Sequence, residues 1–202
     1  MGVEDAMSSP SGTFVKETGG SEHWLSPAQL IAELNILAGL SVAEIGAGAA
    51  GYTLPLAHAA GPRGRLHAIE WRPWLIEDLR ARLRAPDTPD NLHLVIGRPA
   101  ATRLDAASCD LVILAGLWHE LENHHAALDE FRRILRPEGR LAIIDWSPGG
   151  LCPPGPPIEH RISLTATVSI VEKESWSLIH TNTADPDGYL LVFEMADESM
   201  QS

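Results

Sequence analysis

One short stretch concentrates residues suited to chemistry: Glu44-Ile45-Gly46-Ala47-Gly48-Ala49-Ala50-Gly51. Glycines at this spacing let the backbone turn tightly and let a ligand approach the main chain. An acid, Glu70, follows about twenty residues later, the separation at which a carboxylate accepts bonds from the ribose of a bound adenosine. A dinucleotide and an adenosyl compound satisfy this pattern equally. Glu44 discriminates between them. It stands two residues before the first glycine, where an anion is awkward beside a pyrophosphate and useful beside an ammonium group. The pattern therefore favours a cationic, phosphate-free ligand.

A second cluster is His119-Glu120-Leu121-Glu122-Asn123-His124-His125. Helical zinc sites use H-E-x-x-H, and position 123 is Asn, so the spacing fails. His124 and His125 are adjacent and diverge on a helix. No metal site is expected. His119 is the candidate catalytic residue, as a base or a substrate contact, set against a purely structural hydrogen bond. Glu120 reads as a helix first-turn acid. Trp24, Trp118 and Trp146 are candidates for an apolar acceptor pocket or for ordinary packing. Arg161 could pair with an anionic acceptor or with a core carboxylate.

These residues need elements to position them. Ser26 as N-cap, Pro27 at N1 and Gln29 in a capping box open a helix whose apolar face holds Leu30, Ile31, Leu34 and Leu37, with Gly39 as its stop. Strands and helices then alternate: strand 41–45, helix 51–60, strand 65–70, helix 73–83, strand 92–96 and strand 110–115. Asn123 caps a helix through Leu135, ending at Arg136-Pro137-Glu138-Gly139 before a strand at 141–145. Positions 148–157 are Pro- and Gly-rich loop, and 162–174 is expected to be helix. Strands at 176–182 and 189–194 flank the turn Asp185-Pro186-Asp187-Gly188. The pattern implies an α/β, Rossmann-like, mostly parallel seven-stranded sheet with an antiparallel C-terminal hairpin and helices on both faces.

The 202 residues suit a single domain at 21–202, with Met1 to Gly20 as a flexible arm rich in Ser, Gly and acid. A net charge of −12 opposes phosphate neutralisation, so neither nucleic acid nor an anionic membrane is an expected partner. No apolar run reaches transmembrane length and no signal-peptide core opens the chain. Two cysteines, Cys109 and Cys152, build neither a disulfide framework nor a four-thiolate site. A cytoplasmic location is expected.

The motifs resemble those of class I S-adenosylmethionine-dependent methyltransferases, in the group that includes the ubiquinone and menaquinone biosynthesis methyltransferases. Val42 to Ala57 (VAEIGAGAAGYTLPLA) resembles the family's first motif, and Ile69-Glu70-Trp71 its second. Asp110 to Glu120 (DLVILAGLWHE) resembles the fourth-strand motif, and Ile134 to Asp145 (ILRPEGRLAIID) the turn and fifth strand. The resemblance runs from about Ser21 to Glu194. It implies S-adenosylmethionine as cofactor, S-adenosylhomocysteine as product, and an unidentified small-molecule acceptor. By the same resemblance Glu44, Gly46, Ala47, Gly48 and Gly51 hold the methionine part, Glu70 the ribose, and Trp71 lies beside the adenine. Ala115 offers backbone near the sulfonium. The family's Gly-Asp-Ala after the third strand is here Gly97-Arg98-Pro99. Arginine cannot accept a bond from the adenine amino group. Arg98 and Pro99 are then expected to frame the ring by stacking or backbone contact. A softer departure puts Ser175-Trp176 where the family has Gly-Phe.

Two rivals remain. A nicotinamide-dependent oxidoreductase shares the glycine loop and Glu70 but leaves Glu44 unexplained. It also lacks a Tyr-x-x-x-Lys pair, since the chain's tyrosines are Tyr52 and Tyr189. A non-catalytic relative, binding or having lost the cofactor, draws its support from Arg98.

Overall fold

A computed structural model describes residues 25–49, 51–150, 155–183 and 185–196. The arm at 1–20, Trp24 and Cys152 lie outside them. Seven strands, β1 (Ser41–Ile45), β2 (Arg65–Glu70), β3 (Leu92–Ile96), β4 (Cys109–Ala115), β5 (Leu135–Trp146), β6 (Trp176–Asn182) and β7 (Gly188–Met195), form one sheet. Their order is β3-β2-β1-β4-β5-β7-β6. β7 runs antiparallel to both neighbours, and the pairs among β1 to β5 are parallel. This is the Rossmann-like sheet expected from the alternating pattern, with its antiparallel C-terminal hairpin.

Side-chain alternation divides the core between two faces. Val42, Leu111, Ile113, Ala142 and Ile144 pack with Leu30 and Leu34 of helix α1 (Pro27–Glu33) and with Leu56 and Ala57 of α2 (Thr53–Ala60). Ala43, Ile45, Val112, Leu114 and Ile143 pack on the opposite face with Leu128, Phe131 and Ile134 of α4 (His124–Ile134) and Val171 of α5 (Leu164–Glu172). Helix α3 (Pro73–Arg82) sets Leu79 against Ala47 and Ala68.

Local signals are obeyed where they are strongest. The Ser26 capping box forms as expected, and Asn123 caps α4 by accepting from the Ala126 N–H. Other boundaries move. Helix α1 stops at Glu33 rather than near Gly39, because Asn35 takes a positive φ of 48°. Leu37 therefore leaves the apolar face and is exposed. The α4 pattern continues through Leu135, but that residue already opens β5, which spans the Arg136-Pro137-Glu138-Gly139 turn. Helix α5 begins at Leu164 behind the Ser163 cap.

The Ser175-Trp176 departure has a structural reading. Ser175 adopts the left-handed conformation, φ 58°, in which glycine is the least strained residue. The Arg132 guanidinium bonds the Glu174 carbonyl and lies over the Trp176 ring, 5.4 Å from its centroid. A cation and an indole thus hold the junction that a flexible Gly-Phe pair would otherwise make.

Candidate functional site

Register brings the candidates together. Ile45 pairs with Ile69 on one side and Leu114 on the other, and Ala115 pairs with Ile144. The residues that follow, Gly46, Glu70, Gly116 and Asp145, therefore emerge side by side at the carboxyl ends of β1, β2, β4 and β5. The chain runs outward from β1 to β3 and returns at β4, so the crevice beside β1 is the switch point at which open α/β sheets bind ligands. Gly46 donates to the Ile69 carbonyl at 2.8 Å and Gly116 to that of Ile144 at 2.8 Å, extending the ladder by one rung. Both take positive φ, 78° and 63°, so each strand ends in a sharp turn.

The glycine loop closes onto Glu70. The Gly48 N–H donates to Glu70 Oε2 at 3.0 Å, and a Cβ on Gly48 would stand 2.5 Å from that oxygen and 2.6 Å from Leu75 Cβ. Glu70 is fully buried. Its Oε1 accepts from the Trp71 N–H (2.8 Å), the Arg72 N–H (2.9 Å) and Arg72 Nε (3.0 Å), and Oε2 also accepts from Arg72 Nη2 (3.1 Å). Arg72 reaches on to Glu120 Oε2 at 3.3 Å. Glu120 is 4.0 Å from His119 Nε2, and His119 Nδ1 is 2.8 Å from Asp145 Oδ1. A chain of polar groups thus crosses the tops of four strands, from Gly48 to Asp145.

Glu44 is buried on the α2 side of β1, and its Oε2 has no hydrogen-bond partner among the described residues. Burial is the main force pushing its carboxyl up to about 7. Glu70 nearby adds to the rise and the Thr53 hydroxyl offsets part of it. Between the ordinary value of 4.5 and this one, the folded protein holds a proton that the unfolded chain has released. Stability from this group is present at low pH and is lost as pH rises through about 7. Glu44→Gln is expected to stabilise the protein by about 2–3 kcal/mol at pH 8 and by less than about 1 at pH 5, in urea melts. An equal gain at both values would show that Glu44 carries no such strain.

Asp145, which in the sequence is only the end of a strand motif, belongs to the site. It is 1% exposed and accepts three bonds: from the His119 N–H (2.7 Å), the Trp146 N–H (2.8 Å) and His119 Nδ1. The legible signal was an acid closing an otherwise apolar strand, LAIID. His119 and Glu120 lie in a single 3-10 turn, Trp118–Glu120, ahead of α4, so Glu120 is a first-turn acid of that short helix, and its carboxylate also meets Arg72. The other histidines disperse. His124 meets the Trp118 carbonyl at 3.1 Å, and His125 Nδ1 lies 2.7 Å from Glu174.

Gly97 donates to the Glu70 carbonyl at 3.2 Å, which sets Arg98 and Pro99 beside the end of β2. Arg98 and Ala101 exchange backbone bonds across a tight turn, and the Arg98 side chain is exposed. A Cβ on Gly97 would meet the Thr102 carbonyl oxygen at 2.5 Å. The Thr102 hydroxyl and N–H both donate to Glu130, at 2.5 and 2.8 Å. Arg133 beside Glu130 is the main cause that holds its carboxyl down at about 2.

Trp118 is wholly buried in the core, tilted against His124 at 4.2 Å between centroids, so it lines no open pocket. Trp146 is 5% exposed beneath the segment around Gly155. Among the described residues Arg161 meets no core carboxylate. It bonds the carbonyls of Pro156 (3.0 Å), Ser147 (3.2 Å) and Gly150 (3.3 Å) and stands over the Trp146 ring. Tyr52 donates to the Leu25 carbonyl, and Tyr189 to that of Ile162 with its oxygen 2.8 Å from Thr167 Oγ1. Both phenols are thereby engaged in holding the fold.

Among solved structures, an S-adenosylmethionine-dependent methyltransferase from Aquifex aeolicus superposes with a TM-score of 0.78 at 22% identity, covering 84% of this chain and 89% of that one. The glycopeptide N-methyltransferase MtfA, complexed with S-adenosylmethionine, gives 0.70 at 17%, covering 87% and 89%. At these identities the likeness is one of fold. Demethylmenaquinone methyltransferase of Lactococcus lactis is 25% identical over 126 residues, 62% of this chain and 50% of that protein. The tRNA (adenine(58)-N(1))-methyltransferase of Thermus thermophilus is 31% identical over 108 residues, 52% and 42%. The chain spans about half the length of the curated relatives it matches. A family model described as a methyltransferase domain matches residues 43–143, from the strand before the glycine loop to the strand that carries Asp145. The chain belongs to this family, the class I S-adenosylmethionine-dependent methyltransferases, in the group that includes the ubiquinone and menaquinone biosynthesis enzymes.

Proposed function

We propose that the chain transfers the methyl group of S-adenosylmethionine to a small-molecule acceptor by in-line displacement. The observation that carries this reading is Glu44. A buried carboxylate with an unpartnered oxygen is costly unless a cation meets it, and the methionine ammonium is such a cation. A pyrophosphate beside the same group would be repelled. The bound cofactor supplies an electrophilic methyl group on a sulfonium.

The remaining roles belong to the chain. The backbone of Gly46, Ala47 and Gly48, with Gly51 after it, holds the methionine part close to the β1 turn. Glu70 accepts the ribose hydroxyls. Trp71, Arg98 and Pro99 frame the adenine, and Ala115 presents backbone near the sulfonium. These groups align the acceptor with the methyl and exclude water, which supplies much of the catalysis for such a displacement. Where the acceptor must lose a proton, His119 takes it. Asp145 fixes the ring by accepting from Nδ1–H and leaves Nε2 as the basic nitrogen. The acceptor is read as a small molecule because the net charge of −12 works against a nucleic-acid substrate. Among the described residues no helix is long and apolar enough to cross a membrane, and we read the protein as cytoplasmic, with 21–202 as one domain.

Calorimetric titration with S-adenosylhomocysteine, with NADH in parallel, tests the reading. Micromolar binding of the first and none of the second is expected. Binding of NADH alone would return the oxidoreductase alternative. Binding of neither would favour a non-catalytic relative in which the Arg98-Pro99 turn has dismantled the adenine site.

A further inference from the structure

We propose that Arg72 sets the cofactor affinity of this site by competing with the ribose for Glu70, an inference that rests on the cofactor reading above. A carboxylate has about four lone-pair positions. Glu70 already receives three backbone N–H groups, from Gly48, Trp71 and Arg72, and two more donors from the Arg72 guanidinium. Two ribose hydroxyls cannot be added to that set. The backbone donors belong to the glycine loop and the β2–α3 turn and are fixed by the fold. The guanidinium donors end a long, rotatable side chain that is 22% exposed. They are the pair that can leave, and they match the two ribose hydroxyls in number.

The position of the guanidinium supports the same conclusion. Its carbon stands 4.7 Å from the Trp71 ring centroid, on the residue expected to border the adenine. Its Nη2 would lie 3.6 Å from a Cβ built on Gly46, so it covers the first glycine of the loop. Nη1 bonds Glu120, which is 39% exposed. Glu120 can retain the guanidinium when it leaves Glu70, so the cation has a second position rather than being released to solvent. Affinity is then reduced by the fraction of molecules in which Arg72 holds Glu70.

The test is calorimetric titration of S-adenosylhomocysteine into the wild-type chain, Arg72→Met and Arg72→Lys. Methionine keeps an apolar stem over Trp71 and removes the guanidinium donors, and is expected to bind about tenfold tighter. Lysine, a point charge without the bidentate fork, falls between the two and serves if the methionine variant does not fold. Weaker or unchanged binding by both variants would overturn the inference and make Arg72 a cofactor contact or a bystander. Folded wild type and variants that all fail to bind would overturn the cofactor reading, and this inference with it.

Discussion

Glu70→Ala is expected to weaken S-adenosylhomocysteine binding about a hundredfold, the most that a single side chain of this site can cost. Two hydroxyl bonds to a carboxylate contribute together about 3 kcal/mol. The substitution also releases the donors that Glu70 collects. The N–H groups of Gly48, Trp71 and Arg72 would lose their acceptor around a position that is 0% exposed. The glycine loop is then no longer tied to β2, and stability falls by about 2–3 kcal/mol as well. Glu70→Gln separates the two effects. It keeps the shape and one acceptor oxygen for the Trp71 and Arg72 N–H groups while its NH2 faces the Gly48 N–H, so only part of the stability should return while affinity stays low. Calorimetry on protein checked for folding by circular dichroism decides the matter. Unchanged affinity in Glu70→Ala would remove Glu70 from the cofactor site.

The second large effect concerns Asp145. Its carboxylate accepts from two backbone N–H groups and one ring N–H while 1% exposed. Asp145→Ala leaves three donors without an acceptor, one buried and two part-buried, and a loss of about 3–5 kcal/mol is expected in chemical denaturation. Near the midpoint this corresponds to a fall in Tm of roughly 10 °C for a chain of this size. Asp145→Asn should cost less, because the amide oxygen can still accept, but its NH2 faces one of the donors. That conflict is relieved if His119 turns its ring or exchanges tautomer. Nitrogen NMR of His119 reads this directly. The wild type should show a protonated Nδ1, and Asp145→Asn a loss of that state. A wild-type ring without a proton on Nδ1 would sink the assignment of His119 as a base oriented by Asp145. Stability loss alone would then describe Asp145 as a buried structural acceptor.

These effects show what kind of information the chain carries locally. The capping box at Ser26, the Asn123 cap and the alternation of apolar strands with helices are short-range features. Each depends on residues within a few positions and on the periods 2 and 3.6, so the architecture was legible before any contact was known. The glycine loop and the acid of β2 were legible for the same reason, since a strand–turn–helix unit keeps its ligand groups close in sequence. Leu37 shows the limit of periodicity. It fits the α1 face by spacing, but the positive φ at Asn35 ends the helix first.

Sequence by itself determined the sheet class and the position of the glycine loop, and through Glu44 it raised the expectation of a cationic ligand. Tertiary structure decided the groups that meet across strands. His119 and Asp145 are 26 positions apart, and Arg72 and Glu120 are 48 apart. No periodicity relates such pairs. They meet because the β4–β5 and β1–β4 registers bring the strand ends level and because β4 returns to the side of β1. Burial likewise belongs to the whole fold. An exposed Glu44 would be an ordinary acid, whereas packing on the α2 side of the sheet, beside Glu70, turns it into a strained carboxylate that a cation can relieve.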